Sequence, residues 1–396
     1  MQFSNDNIFT TKISDIISFG SFIGKYEAIS LQQDIKDKNG NILISAKRPL
    51  RESTLKSLLN KELASSYEIS LVISKELRDA LADKVSKEFR RIISLSDFSF
   101  PAFLFEKKNI NMHRIIRVTM RNRFFMNFLT KILYENKKIK IHLLEVCAIS
   151  TGLMASLKGS DYRYAHFMRL FQAAILHDYA ISELPNWDEE EAFEGKSKHD
   201  MESANKISGN ELSSDISEII LKNNHLNQEY SNDDLSTEDS WFNNPVKLSS
   251  AILNLAEYYT YAKRLIGAQN NKDEMGLVMY QIGVHTEKGY FPRQLVKILE
   301  TYFRKYAVFF EYGKQIGALQ NQCIHKKFAL AYPKPKATQI LCKNNSVPCK
   351  LRLYGQPLMV VSAEGDTWAR LGEQIRPGWH DKCNLSVKLP TPPNIF

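Results

Sequence analysis

The sequence predicts a mainly α-helical protein with a small α/β module at its N-terminus and a β-rich segment at its C-terminus. Hydrophobic residues recur at three- and four-residue steps through the middle of the chain, which is the period of a helix packed on a core. An Asn-Gly pair lies between two apolar stretches near the N-terminus. Prolines and short apolar runs mark the last part of the chain. These changes divide the sequence into residues 1–95, 96–320 and 321–396.

Composition limits the classes of protein to which the chain can belong. Its 396 residues are 43% hydrophobic, which is enough for real cores and for two or three domains. A net charge of +9 favours anionic partners, although an ordinary basic protein has the same balance. Five cysteines, an odd number, indicate a reducing cytoplasm. No secretion signal and no apolar run of about 20 residues occur, so we expect a cytoplasmic protein with no membrane partner.

The N-terminal module combines strand and helix signals. Asn39-Gly40 predicts a hairpin turn between the apolar residues around Ile35 and those at 42–44. A helix is expected to begin near Arg51, with Ser53 or Thr54 as its cap. A protein partner that docks on this module is a hypothesis based on its position alone.

Hydrophobic spacing predicts the helices of the central part and the strands of the C-terminal part. Strands are expected in the proline-containing C-terminal segment, at 337–341 and 357–361. The central helices are expected at 142–157, 167–175, 197–207, 214–221, 253–262 and 292–308.

An arginine-rich stretch precedes the first of these helices. Arg114, Arg117 and Arg121 are spaced to share one helical face, which suits phosphate groups. A solvated basic face is the simpler interpretation, so nucleic acid is not an expected partner.

The pair His177-Asp178 is the strongest chemical signal. It follows an apolar helical run, and a neighbouring imidazole and carboxylate can bind one cation while the carboxylate bridges to a second. His142 lies 35 residues upstream and His199 lies 22 residues downstream, each on another predicted helix. The four side chains can meet only if the helices pack as a bundle. Alternatively, they are a core histidine, the polar end of a helix and an exposed first-turn residue.

Taken in order, these motifs resemble the HD superfamily of metal-dependent phosphohydrolases. The closest likeness is to its HD-GYP branch, which hydrolyses cyclic di-GMP, and it covers roughly residues 135–310. The matching segments are His142 to Val146, Ala173 to Asp178, His199 to Ala204, Leu255 to Glu257 and Lys288 to Pro292.

The resemblance implies a fold, a metal centre and a ligand class. The fold would be an HD-type helical bundle, with His177 and Asp178 as catalytic residues and cyclic di-GMP or another phosphorylated ligand as partner. Lys263 and Arg264 would hold phosphate, and the cofactor would be iron or manganese, as one ion, two ions or none. The implied metal ligands are His142, His177, Asp178, His199, His225 and Glu257.

The sequence departs from this family at several positions. Tyr179, Ala180 and Ile181 replace the residues that follow the His-Asp pair, so the phosphate-binding lysine is absent. His225 alone lies where two adjacent histidines are expected, the Gly-Tyr-Pro triplet is missing, and Lys138 replaces a third-metal glutamate. We therefore expect one cation to bind firmly and a second weakly or not at all. Two functions remain open: a binding or regulatory module whose phosphodiesterase activity is weakened or lost, and an active phosphodiesterase.

Overall fold

The chain is mainly helical and carries a few small sheets, which confirms the predicted fold class at that level. Among the described residues, no helix has the length and apolar character needed to cross a bilayer. The computed structural model describes residues 1–4, 7–59, 68–93, 100, 104, 111–135, 139–157, 164–182, 196–210, 212, 214–223, 244–266, 272–304, 306, 328–331, 339–342, 349–360 and 378–383.

In its described residues, the N-terminal part combines short antiparallel strands with three α-helices. Strands β1, β2 and β5 form one sheet in that order, and β3 pairs with β4. The elements are β1 (Gln2–Phe3), β2 (Ile8–Thr10), α1 (Ile13–Ile23), β3 (Ile35–Lys36), β4 (Ile42–Ile44), α2 (Glu52–Leu58), β5 (Ile69–Ser70) and α3 (Lys75–Ile93).

The predicted hairpin is confirmed, but the predicted helix cap is wrong. Gly40 adopts a φ of 82° between β3 and β4, a conformation that glycine reaches without strain. Helix α2 begins at Glu52, and its N-cap residue, Arg51, makes no side-chain capping bond. Ser53 and Thr54 lie within the first turn, two and three residues after the N-cap position.

The central part is built from ten helical segments among the described residues. Most of the expected helices are found, with ends shifted by a few residues. They are α4 (Met112–Thr119), α5 (Arg123–Tyr134), α6 (Ile139–Met154), α7 (Tyr164–Leu176), α8 (Tyr179–Ser182), α9 (Lys196–Ser208), α10 (Ser214–Asn223), α11 (Pro245–Leu265), α12 (Lys272–Glu287) and α13 (293–304).

Three expectations about these helices need correction. His142 lies inside α6 rather than at its start, and the helix is buried on nearly every side because it packs between α3, α7 and α11. Arg121 lies in the turn after α4, so the proposed three-arginine face does not form. Helix α12 was not predicted, because exposed Leu277 and Tyr280 obscure its apolar period.

A continuous hydrophobic core links the N-terminal elements to the helices. Tyr134 of α5 packs against Phe3, Phe19 and Phe22, with ring centroids 5.5 to 5.9 Å away. Apolar residues from β2 through α13 belong to the same cluster of buried side chains. The domain boundary at residue 95 stays a prediction.

The C-terminal part contains a four-stranded antiparallel sheet. Its strand order is β6-β7-β9-β8, and its register shifts at Pro357, where a proline cannot donate to the ladder. The strands are β6 (Phe328–Ala331), β7 (Gln339–Cys342), β8 (Arg352–Val360) and β9 (Gly378–Cys383), and β7 and β8 overlap the two expected strands.

Candidate metal centre

Four separate helical segments bring titratable side chains to one buried place. His142 comes from α6, His177 and Asp178 follow the end of α7, His199 comes from the first turns of α9, and Glu257 comes from the middle of α11. Four of the five residues are at most 6% exposed. The His199 side chain is the most open, at 11%. The structure thus brings together five of the six residues predicted as metal ligands.

The first group consists of two imidazoles and one carboxylate oxygen. His142 Nε2 lies 3.2 Å from Asp178 Oδ2, and His177 Nε2 lies 3.3 Å from the same oxygen. The two Nε2 atoms are 3.3 Å apart. Three donor atoms at these separations can bind one cation without large movement.

The second group uses the other oxygen of the same carboxylate. Asp178 Oδ1 lies 3.6 Å from His199 Nε2. Donor atoms of Asp178, His199 and Glu257 all lie within 4.8 Å of one another. Because Asp178 directs one oxygen toward each group, its carboxylate could bridge two cations.

Contacts of the Nδ1 atoms orient the rings of His177 and His142. His177 Nδ1 donates to the carbonyl of Ala174 at 2.9 Å, which leaves Nε2 directed at the cluster. On His142, the Nδ1 atom lies 3.5 Å from the Thr260 hydroxyl and 3.2 Å from a guanidinium nitrogen of Arg264. The hydroxyl donates its own proton to the Glu257 carbonyl, so its oxygen can accept one from His142.

Asp200 belongs to the centre, although it was not predicted as a ligand. Its side chain is 3% exposed, and its Oδ1 lies 3.2 Å from His199 Nε2. That contact lacks the geometry of a hydrogen bond, and neither Asp200 oxygen has a hydrogen-bond partner among the described residues. A sequence signal did exist: His199-Asp200 repeats the dipeptide His177-Asp178.

Burial and mutual charge shift the pKa values of the first group. Burial lowers the pKa of His142, and the nearby charges of Arg264 and His177 act in the same direction. Burial also opposes the charged form of His177, but the carboxylates of Asp178 and Glu257 outweigh it and raise its pKa to about 10. Burial opposes ionisation of Asp178 as well, yet both imidazoles hold its pKa well below the usual range.

Burial and neighbouring carboxylates also shift the pKa values of His199 and Asp200, and both pKa values rise. Burial raises the pKa of Asp200 to about 6, and the negative charges of Glu257 and Asp178 contribute to the rise. Burial disfavours charged His199, but three neighbouring carboxylates outweigh it and raise its pKa. Without a cation, this centre holds protons between closely spaced carboxylates and imidazoles, and a bound cation would displace them.

The chemistry of the donors fits a divalent transition metal. Imidazole nitrogen and carboxylate oxygen are the usual ligands of iron, manganese and zinc in proteins. His199 Nε2 is buried and makes no hydrogen bond within the described part of the chain, which leaves its lone pair or proton unsatisfied. A cation would satisfy this atom and neutralise the crowded carboxylates.

The remaining predicted site residues have other surroundings. Lys263 Nζ donates to Glu145 Oε1 at 2.7 Å, so its charge is already paired. Arg264 has an exposed side chain that reaches His142. His225 and Lys138 lie outside the described residues, so their predicted places stay predictions.

Comparison with known proteins adds no relative. The chain matches no family model, no curated protein and no solved structure. The case for a function rests on the side chains described above.

The burial of Asp200 predicts a pH-dependent effect on the stability of the metal-free protein. Its pKa is about 6 in the folded chain against an ordinary value of 3.8, a difference of about 3 kcal/mol. The folded state therefore loses stability as pH rises from 4 through 6, because only the unfolded carboxyl ionises freely. We expect Asp200→Asn to raise the free energy of unfolding by up to about 3 kcal/mol at pH 8, and by little at pH 4.

Urea unfolding in the presence of a chelator measures this difference. Glu202→Gln is the matched control, because it removes an exposed carboxylate from the same helix. A gain that does not depend on pH, or a loss of stability at pH 8, would contradict the expectation.

Proposed function

We propose that the chain is a divergent HD-type protein that holds a divalent cation, iron or manganese, and acts as a binding or regulatory module in cyclic di-GMP signalling. In this proposal its phosphodiesterase activity is weakened or lost. The observation that carries the proposal is the mutual contact of His142, His177 and Asp178 at 3.2 to 3.3 Å in a buried place. His142 and His177 are separated by 35 positions in sequence, and the sequence pattern predicts all three residues as ligands of one cation.

The arrangement of helices supports an HD-type bundle. Helix α7 packs on α6, α10 and α11, and α6 also packs on α11. Helix α9, which supplies His199, packs on α8 and α10.

A phosphorylated ligand is supported by one nearby cationic side chain. Arg264 lies on the surface beside the centre, and one of its guanidinium nitrogens is 3.2 Å from His142 Nδ1. When His142 binds a cation through Nε2, its proton must lie on Nδ1, where it opposes the guanidinium. That change favours rotation of Arg264 toward an incoming phosphate. Lys263 contributes less, because Glu145 already neutralises it.

Weak catalysis follows from what surrounds the His-Asp pair. Hydrolysis of a phosphodiester needs an activated water and cationic groups that stabilise charge on the transferred phosphoryl group. Ile181, buried at 4% exposure, occupies the position at which the resemblance requires a lysine. The apolar side chain cannot contact phosphate, so this chain retains the means to hold a cation but lacks one group that stabilises the transition state.

An active phosphodiesterase is the second candidate, and one observation favours it. The two oxygens of Asp178 face two different donor groups, which is the arrangement that two-metal hydrolysis requires. The two candidates differ in turnover, and hydrolysis of cyclic di-GMP by the metal-loaded protein supports the enzyme.

Ligand binding and turnover by the purified full chain test the proposal. We expect the manganese-loaded protein to bind cyclic di-GMP in equilibrium dialysis and to hydrolyse it no faster than the His177→Ala, Asp178→Ala variant. That variant should lose the binding. Hydrolysis that exceeds the variant's rate would favour the enzyme, and equal cyclic di-GMP binding by both proteins would contradict a metal-dependent ligand site.

The control variant is His113→Ala, Asp83→Ala. It removes the same two residue types from an exposed pair on α4 and α3, whose atoms are 3.0 Å apart. This pair lies outside the centre, so cyclic di-GMP binding should be unchanged.

A further inference from the structure

A second His-Asp pair faces the first across the centre. His177-Asp178 follows α7, and His199-Asp200 lies in the first turns of α9. Within the first pair, the imidazole Nε2 and carboxylate oxygen are 3.3 Å apart, and within the second they are 3.2 Å apart. His199 Nε2 therefore lies between two carboxylates, with Asp178 Oδ1 at 3.6 Å on its other side.

The Asp200 carboxylate is paired with His199 at 3.2 Å but accepts no hydrogen bond from the described residues. Both of its oxygens are buried and lack hydrogen-bond partners in the part of the chain that the structure describes. Its electrostatic neighbours are His199 and two further carboxylates, Glu257 and Asp178. A buried carboxylate whose oxygens accept no hydrogen bond costs free energy, and the like charges of Glu257 and Asp178 increase that cost. A cation would remove this cost.

The separations suit shared coordination. Two donors held about 2.1 Å from one ion lie about 3.0 to 3.6 Å apart when the angle between them is about 90° to 120°. His199 Nε2 has one carboxylate oxygen at 3.2 Å and another at 3.6 Å, within this range. Glu257 adds a further carboxylate oxygen within 4.8 Å of the Asp178 and His199 donors. Asp200 is not a member of that group, so its carboxylate must turn toward Asp178 and Glu257 to share an ion with them.

We propose that Asp200 is a ligand of a second divalent cation, in a site formed with Asp178, His199 and Glu257. This inference rests on the proposed metal centre and deepens it. Asp178 bridges the two ions, one oxygen facing His142 and His177 and the other facing His199. Asp200 supplies a protein ligand in place of one of the two adjacent histidines, of which the sequence has His225 alone.

The two sites differ in ligand type and therefore in metal preference. The first has two imidazoles and one carboxylate, which suits iron, zinc or manganese. The second has three carboxylates and one imidazole, and oxygen-rich sites favour harder cations such as Mn²⁺ and Mg²⁺. Manganese suits both sites and is the probe of choice.

Manganese titration of the metal-stripped full chain tests the proposal. Wild-type protein should bind two equivalents and give the EPR signal of a spin-coupled pair. Asp200→Asn should keep the first equivalent, lose the coupling, and weaken the second equivalent at least about 10-fold, since even outer partners of metal ligands change affinity by about 10- to 100-fold. Glu202→Gln, on the exposed side of the same helix, should behave as wild type.

The outcomes separate this inference from the proposed function. If Asp200→Asn binds two equivalents with unchanged affinity and coupling, Asp200 is not a ligand. If wild-type protein binds a single equivalent, the second site is absent while the first centre stands. If no protein binds manganese, both the centre and this inference fall. Circular dichroism of the metal-free variants confirms that each comparison is made between folded chains.

Discussion

Replacing His177 and Asp178 together by alanine should abolish tight binding of the first manganese ion. The change removes one of two imidazoles and the carboxylate that lie within 3.3 Å of each other. Loss of an outer partner alone costs about 10- to 100-fold in metal affinity, so loss of two direct ligands should weaken binding more than about 100-fold. Isothermal titration calorimetry of the metal-stripped protein measures the affinity directly.

The position of Asp178 between the two donor groups gives a second expectation for the His177→Ala, Asp178→Ala variant. If the carboxylate serves both cation positions, the variant should bind neither equivalent tightly. The His113→Ala, Asp83→Ala variant should keep wild-type affinity, because that exposed pair is remote from the centre. Retention of wild-type manganese affinity after loss of His177 and Asp178 would show that these residues do not hold the cation.

Replacing Phe171 by alanine should destabilise the chain by about 3 to 5 kcal/mol. Phe171 is fully buried on α7, the helix that leads into His177-Asp178. Its ring packs against Phe125 of α5 at 5.9 Å and Phe89 of α3 at 6.4 Å. Truncation would leave a cavity between three helices and remove the aromatic contacts that link the N-terminal elements to the centre. Urea unfolding at constant m-value measures the loss.

Phe167 provides the matched control for this experiment. It lies one turn earlier on the same helix and is only partly buried. Phe167→Ala should therefore cost markedly less than Phe171→Ala. Equal losses for the two variants would mean that the core between α3, α5 and α7 is not packed as described.

The spacing of apolar residues predicted most of the helices, because it shows which face of each helix packs on the core. The residues around Phe171 recur every three or four positions, and α7 ends at the predicted His-Asp pair. Helix α6 differs, because it is surrounded by other helices, and a helix buried on all sides has no polar face to mark its ends. Helix α12 was missed for the opposite reason, since Leu277 and Tyr280 are exposed.

The centre was predictable as far as residue type and spacing allow. The sequence predicted five metal ligands that lie together in the structure: His142, His177, Asp178, His199 and Glu257. Asp200 was not predicted as a ligand, because a carboxylate next to a histidine in sequence indicates a metal site only when both side chains point into the core. The ion pair between Lys263 and Glu145 joins residues 118 positions apart, and spacing along one helix cannot indicate such a partner.

Anomalous diffraction from crystals of the manganese-loaded protein tests the metal centre most directly. A peak about 2.1 Å from His142 Nε2, His177 Nε2 and Asp178 Oδ2 is the predicted result. Manganese bound elsewhere, with these three atoms left in contact with one another, would contradict it.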